Sequence, residues 1–368
     1  MSSLELFRKT KSKRAHFCYP SIKNPRVIVP LSSKKTFLSG LKIHNVAASK
    51  NILIKSFIEK LYYIWKYVKI NRLYSAQDLD LLLNDLQKRL NITCEIYCSF
   101  YKGTAGSSNQ KYTLQIMDEN AYVIGIIKFP ITDQSNSFIK NEYDTLKSLN
   151  KEKYQYIEIP NQLEYFNYAS AALLFENNVF KNTRILKFSL DDFIVNASIE
   201  LAKKNLKNTN AEYCNRLESD PNVNKFPTDL KLTFLDLVKE LKVQQIPTVL
   251  IHGDFVLYNM RRKEDKLVLV DWEFSRYGLP LFDLLHFTFQ GLFLIKKISL
   301  EKIIKQIYDD IFIREYLTKF GISNNLLFVL LKAYLFDYLI YDYKVKRIMD
   351  LRASQYYKGL LILEKLLK

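Results

Sequence analysis

Glycine and proline are scarce, nine of each in 368 residues, so long flexible linkers between domains are not expected. Cysteine is scarcer still. Cys18, Cys94, Cys98 and Cys214 fit no zinc-ligand spacing, and free thiols in a reducing cytoplasm are expected. Residues 1–10 lack the apolar core of a secretory leader. No window offers eighteen uncharged apolar residues, so no transmembrane helix is expected. Acidic residues are nearly missing from the first 75 positions. Glu5 and Glu59 stand there against sixteen Lys and Arg, a net +14 out of the whole-chain +17. The rest of the chain is therefore close to neutral.

What is present is a core-forming composition. Hydrophobic residues make up 48% and charged residues 25%, which excludes a disordered chain. The basic segment, residues 1–75, has three readings. It is a solvated extension, a peripheral contact with an anionic membrane at the inner face, or a nucleic-acid-binding arm. A candidate helix at 52–70 sets Phe57, Tyr62 and Trp65 beside Lys60, Lys66 and Lys69, as interfacial helices do. No recognisable nucleic-acid motif accompanies the charge, so no nucleic-acid partner is expected.

Residues 1–50 read as irregular, punctuated by Pro20, Pro25 and Pro30. A second helix follows Ser75, with Asp78 as a capping-box-like start. Strands are expected near 93–101, 111–117 and 121–129, then a helix at 137–149 and strands at 162–168 and 171–176. After residue 178 the pattern turns helical, with candidates at 190–204, 229–243, 280–296, 300–308, 324–347 and 351–367. Strands are expected there only at 248–251, 259–262 and 267–271. The polar stretch 205–227, with Pro221, reads as a loop or insertion. The expected domains are the extension (1–75), a small lobe (76–178) and a helical large lobe (179–368).

The sharpest signal is His252-Gly253-Asp254-Phe255-Val256-Leu257-Tyr258-Asn259, following an apolar strand. Asp271 ends a second apolar strand twelve residues beyond Asn259. Phosphoryl transfer needs these groups: a carboxylate to orient the attacking hydroxyl and take its proton, and an amide oxygen and second carboxylate to hold magnesium. The five-residue step from Asp254 to Asn259 equals that of the kinase catalytic loop. A lone His-Gly-Asp is compatible with a polar turn between core strands. The flanking strands and the later Asp make the set more specific. Upstream, Lys128 lies in a strand and Glu142 in the next helix. A kinase needs a Lys paired with nucleotide phosphates and a helix Glu to hold it. A surface lysine and an exposed acid are the alternative. Gly103, Gly106 and Ser107 join two strands, where small residues let backbone N–H groups approach phosphate.

The segment 250–287 resembles the aminoglycoside phosphotransferase and choline kinase superfamily, through His252-Gly253-Asp254, Asn259, Asp271-Trp272-Glu273 and Pro280-Leu281-Phe282-Asp283-Leu284. The resemblance implies an α+β, two-lobed, protein-kinase-like fold with a small antiparallel-sheet lobe and a mostly helical lobe. It implies ATP and Mg2+ as cofactors, Asp254 as base, and Asn259 and Asp271 as metal ligands. Asp283 would brace the catalytic loop, with His252 as a bracing residue. Glu176 falls where the adenine-binding hinge is expected. The His-Arg-Asp, Asp-Phe-Gly and Ala-Pro-Glu signatures of protein kinases are missing, which argues against a protein acceptor. The implied activity is transfer to a hydroxyl of choline, ethanolamine, a sugar or a cell-surface glycan precursor. An aminoglycoside-modifying enzyme and an inactive scaffold with a working basic N-terminus are the alternatives. Glu273, Asp337, Tyr338 and Tyr341 are candidate acceptor contacts, since aromatic faces with a carboxylate suit an amine or a sugar. A tyrosine-rich packing face is the competing reading of that helix. A cytoplasmic location is expected.

Overall fold

The computed structural model describes residues 7–8, 14–19, 26–41, 62, 72–103, 109–168, 171–207, 209–244, 246–346 and 353–366. They fall into two compact units. One comprises Met1–Tyr143 with Pro160–Asn178, the other Asp144–Ile159 with Val179–Lys368.

The first unit is built on an antiparallel sheet. Its strands are β1 (Phe7–Arg8), β2 (Ala15–Tyr19), β3 (Val27–Pro30), β4 (Arg72–Ser75), β5 (Ile96–Lys102), β6 (Lys111–Asp118), β7 (Val123–Pro130), β9 (Leu163–Tyr168) and β10 (Ala171–Asn177). Their order across the sheet is β1-β4-β2-β3-β5-β6-β7-β10-β9. The period of two along each strand assigns alternate residues to opposite faces. On one face Cys18, Ile28, Phe100, Leu114, Ile116 and Ile127 pack with Leu79, Leu82, Leu83 and Leu86 of α2 (Gln77–Arg89). On the other, Phe17, Val27 and Val29 pack with Phe37 and Leu41 of α1 (Lys34–Leu41) and with Tyr62. At the β6–β7 turn, Asp118 Oδ1 accepts from the N–H groups of Asn120 and Tyr122, which ties the hairpin. The helix α3 (Asp133–Leu149) follows β7.

Two expectations are corrected here. Residues 1–50 are not irregular throughout: 15–19 and 27–30 are paired strands and 34–41 a helix. Their apolar runs are only three or four residues long and lie between lysines and prolines, too short to show periodicity. The capping box at Ser75 does not form. Ser75 ends β4, paired with Phe7, and α2 starts from Ala76 with no side-chain cap. Asp78 and Asp80 in its first turn instead complement the helix dipole. The candidate helix at 52–70, with Phe57 and Trp65, lies outside the described residues apart from Tyr62.

The second unit is mostly helical. Its helices are α4 (Asp192–Lys204), α5 (Ala211–Ser219), α6 (Thr228–Val243), α7 (Phe282–Gln290), α8 (Leu300–Asp309), α9 (Ile311–Lys319), α10 (Leu327–Tyr341) and α11 (Gln355–Leu366). The stretch 205–227, expected as a loop, contains α5 and a 3-10 turn at Pro221–Lys225, where Asp220 caps the turn. Buried Tyr213, Cys214 and Leu217 anchor α5. Three short strands were too brief to read from periodicity: β8 (Ile157–Glu158), β11 (Leu206–Lys207) and β15 (Arg276–Gly278). Strand β12 (Thr248–Ile251) lies between β11 and β15, and the hairpin β13 (Met260–Lys263) and β14 (Lys266–Leu269) carries β8 parallel to β14. The helix α10 is buried nearly all round, from Leu327 to Ile340, as a central helix must be. The α+β class, with an antiparallel-sheet unit and a mostly helical remainder, agrees with the expectation. No described helix is long and apolar enough to cross a membrane.

Because β3 hydrogen-bonds β5, removal of residues 1–41 strips pairing and one buried face from the sheet. The truncated protein is expected to be insoluble or to melt well below the full chain in a thermal scan. An unchanged midpoint would show the segment to be dispensable.

Candidate active site

The strand β12 delivers His252-Gly253-Asp254 into a tightly tied turn. The Asp283 carboxylate, buried in the first turn of α7, accepts from the backbone N–H of His252 at 2.7 Å and of Gly253 at 3.1 Å. Burial pushes the Asp283 carboxyl up, and His252 together with these two N–H groups opposes that shift. Gly253 has φ 81, and an added Cβ would stand 2.2 Å from the Phe274 carbonyl oxygen. Only glycine fits this left-handed, closely approached position. From the other side, the Tyr338 hydroxyl donates to the Gly253 carbonyl at 3.0 Å.

His252 is buried, and both ring nitrogens are used. Nδ1 faces the Asp254 N–H at 3.3 Å and Nε2 faces the Val270 carbonyl at 3.1 Å. That pattern assigns the ring proton to Nε2. The Val270 N–H donates to the Asn259 carbonyl at 3.1 Å. These two bonds at Val270 tie the chain before Asp271 to the 252–259 loop. Asp271 itself has φ 71, an uncommon conformation that Asp tolerates better than most residues.

Asp254 projects from this frame with its side chain 36% exposed. Its Oδ2 accepts from Asn259 Nδ2 at 2.9 Å, and the same nitrogen donates to the Asp254 carbonyl at 3.0 Å. The Asn259 amide nitrogen is thus turned toward Asp254, and its carbonyl oxygen remains as a donor for a metal. That oxygen and the Asp271 carboxylate are hard ligands of the kind magnesium takes together with phosphate oxygens. The donor set fits the ion that the sequence implies.

In the first unit, Lys128 is buried in β7. Its Nζ lies 2.5 Å from Glu142 Oε2 and 3.3 Å from Glu176 Oε1. Glu176, expected at an adenine-binding hinge, is the penultimate residue of β10, and its side chain is buried. Leu174 is opposite Lys128 and Glu176 opposite Ile126, so Glu176 is a same-face diagonal neighbour within reach of the lysine. Gly103 closes the β5–β6 hairpin, its N–H donating to the Lys111 carbonyl. Gly106 and Ser107 lie outside the described residues.

The acceptor candidates divide. Asp337 is buried on α10 and accepts from Arg216 Nη2 at 3.2 Å and Arg276 Nη2 at 3.3 Å. Tyr338 is buried too, with its hydroxyl on Gly253. Both support the loop from within the helical core and, at 2% and 1% exposure, do not present an acceptor face. Tyr341 is only half-buried and stands edge-on to Phe274. Burial, with the Asp254 and Glu273 carboxylates adding to it, pushes the Tyr341 phenol well up. Tyr341 therefore remains near Asp254, whereas Glu273 is corrected with Asp337 and Tyr338: at 3% exposure it does not present an acceptor face. Sequence reasoning missed Arg276, Arg216 and His286. The available signal for His286 was a lone histidine in an apolar run, one helical turn after Asp283.

Residues 203–296 match the sequence profile of a family described as Phosphotransferase enzyme family. The segment 250–287 lies inside that match, so the resemblance is borne out where its motifs are densest. No curated protein matches the chain by sequence. Among solved structures, an amicoumacin kinase in complex with AMP-PNP, Ca2+ and Ami is 14% identical over 77% of this chain and 92% of its own, with a TM-score of 0.47. The GDP complex of aminoglycoside 2'-phosphotransferase-IIIa is 14% identical over 79% and 98%, with a TM-score of 0.44. A choline/ethanolamine kinase family protein from Mesorhizobium loti is 13% identical over 79% and 95%, with a TM-score of 0.45.

Two predictions follow from this geometry. Asp283→Asn keeps one acceptor oxygen and turns an amide N–H2 toward the other backbone N–H. It is expected to lose about 1–3 kcal/mol in urea denaturation; wild-type stability would remove the bracing role. Burial alone would raise the Asp337 carboxyl, but Arg276 and Arg216 reverse this and hold it below its ordinary range. Its contribution is then present above the unfolded-state value and lost as pH falls through the depressed folded one. Asp337→Asn should be less stable than wild type at neutral pH, with the gap closing below about pH 4. A gap independent of pH would contradict the ion-pair account.

Proposed function

We propose that this protein is an ATP- and magnesium-dependent phosphotransferase acting on a hydroxyl group of a small molecule. The observation that carries the reading is the Asp254 carboxylate, braced from behind by His252 and Asp283, with the amide of Asn259 on it and Asp271 alongside. Choline or ethanolamine, a sugar, and a glycan precursor are the acceptor classes in view, with aminoglycosides as the alternative. The half-buried Tyr341 ring near Asp254 supports an acceptor bearing an amine or several hydroxyls.

In this reading Asp254 orients the acceptor hydroxyl and takes its proton. The acceptor oxygen bonds to the γ-phosphorus as the bond to the β,γ-bridging oxygen breaks, and the electron pair leaves with ADP. Asn259 and Asp271 hold magnesium, which supplies neutralisation of charge on the transferring phosphoryl group when bound. Lys128, oriented by Glu142, pairs with the nucleotide phosphates. Little covalent chemistry is asked of the protein, so positioning and electrostatics supply the rate.

The test is ADP release from Mg-ATP across choline, ethanolamine, glucosamine and kanamycin. Acceptor-dependent release is expected for one class. It should be lost on chelation with EDTA and should fall at least about 100-fold in Asp254→Ala with ATP binding retained. Release undiminished in Asp254→Ala would refute the base. Absence of Mg-ATP binding altogether would favour a scaffold.

A further inference from the structure

His286 lies one turn after Asp283 on α7, so the two side chains share the face that meets the catalytic loop. The ring is buried and bounded on three sides. Its Nε2 stands 3.5 Å from Asp254 Oδ1, and its Nδ1 stands 3.2 Å from the Tyr334 hydroxyl. Its plane stacks on Tyr338, with centroids 4.3 Å apart and planes 18° apart. Tyr338 is itself fixed to the Gly253 carbonyl, so ring and loop share one support.

The protonation pattern follows from the neighbours. Burial lowers the His286 pKa, and the opposing pull of Asp254 does not restore it. The groups facing the ring are Asp254, Asp283, Arg276, Tyr334 and Tyr338. In a neutral imidazole one nitrogen donates and the other accepts. Only a proton on Nε2 makes a favourable contact with the carboxylate, so Nδ1 accepts and the Tyr334 hydroxyl donates to it.

We propose that His286 is a positioning residue for Asp254, holding Oδ1 through Nε2–H while Asn259 holds Oδ2. This rests on the reading of Asp254 as catalytic base. With a donor on each oxygen, the carboxylate plane is fixed before the acceptor arrives, and the remaining lone pairs face the open side. At 3.5 Å the contact is longer than an ordinary hydrogen bond, and it must tighten in the substrate complex, as catalytic contacts do. Rotation of an unheld carboxylate would misplace the proton acceptor by about an ångström, a displacement that is worth on the order of 100-fold in rate.

The experiment compares His286→Phe, His286→Gln and Asp254→Asn in the full chain. Phenylalanine keeps the stack on Tyr338 and removes the donor. Glutamine restores an N–H donor at about the reach of Nε2. With whichever of choline, glucosamine and kanamycin supports wild-type turnover, His286→Phe is expected to lower kcat roughly tenfold to 100-fold with KM unchanged. His286→Gln should recover most of that loss. A purely structural role would move the melting midpoint and not separate the two variants in kcat. If His286→Phe does not fold, Tyr334→Phe, which removes the hydroxyl setting the tautomer, is expected to lower kcat by a smaller factor. Independently of turnover, 15N spectra of histidine-labelled protein should show His286 neutral with its proton on Nε2, and its signal should shift in Asp254→Asn. Wild-type kcat in His286→Phe, or a His286 signal indifferent to Asp254→Asn, would overturn the proposal even in an active kinase. A wild-type protein inert toward every acceptor would count against the base reading, and the 15N spectra alone would then decide the contact.

Discussion

The second unit depends on one buried carboxylate. Asp283 accepts two consecutive backbone N–H groups, those of His252 and Gly253. A buried carboxylate without partners is strongly disfavoured, and here the two N–H groups and its place in the first turn of α7 offset the desolvation. The bond pair forces the peptide between His252 and Gly253 into one orientation. That orientation demands the left-handed φ at Gly253 and aims Asp254 outward. Without the brace, the N–H groups would need other partners and the turn would relax.

The loop is closed by a second set of ties, all through Val270. Its carbonyl meets His252 and its N–H meets the Asn259 carbonyl. The main chain leading into Asp271 is thus pinned, and Asp271 itself is kept at φ 71. Such a conformation costs about 1–3 kcal/mol and persists only where its surroundings over-determine it. The same ties bring the main chain before Asp271 against that of Asn259. In the first unit, Lys128 shows the complementary device. A lysine this deep would be costly alone, and two glutamates on neighbouring elements pair with it.

Much of this was legible because it is local. The segment 248–271 combines strand, turn, strand and hairpin within a few residues of each charged group, so Asp254, Asn259 and Asp271 could be grouped from spacing. Lys128 and Glu142 could be paired because a strand and the helix after it are adjacent in chain as well as in space. What was not legible depends on partners far along the chain. Glu176 meets Lys128 only through β-sheet register, which spacing does not give. Asp337 looked like an acceptor contact because its helix carries tyrosines at 3–4 residue intervals. Arg216, 121 positions away, and Arg276, 61 away, are what draw it into the core. The strands at 15–19 and 27–30 were hidden because a run of three apolar residues has no measurable period.

The division of labour between helices and loop has a physical reason. Asp283 and His286 both sit on α7, whose backbone bonds are all internal, so their separation and direction are fixed by helical geometry. The face of α7 that carries them is in turn locked by Tyr334 and Tyr338 of α10, a helix with no exposed side and hence little freedom to shift. Loop residues alone could not hold a carboxylate to within a few tenths of an ångström, since their conformational entropy opposes it. Anchoring the support of the Asp254 carboxylate to buried helices moves that requirement into the folding of the core. The exposed Asp254 then inherits the rigidity of residues that never meet solvent.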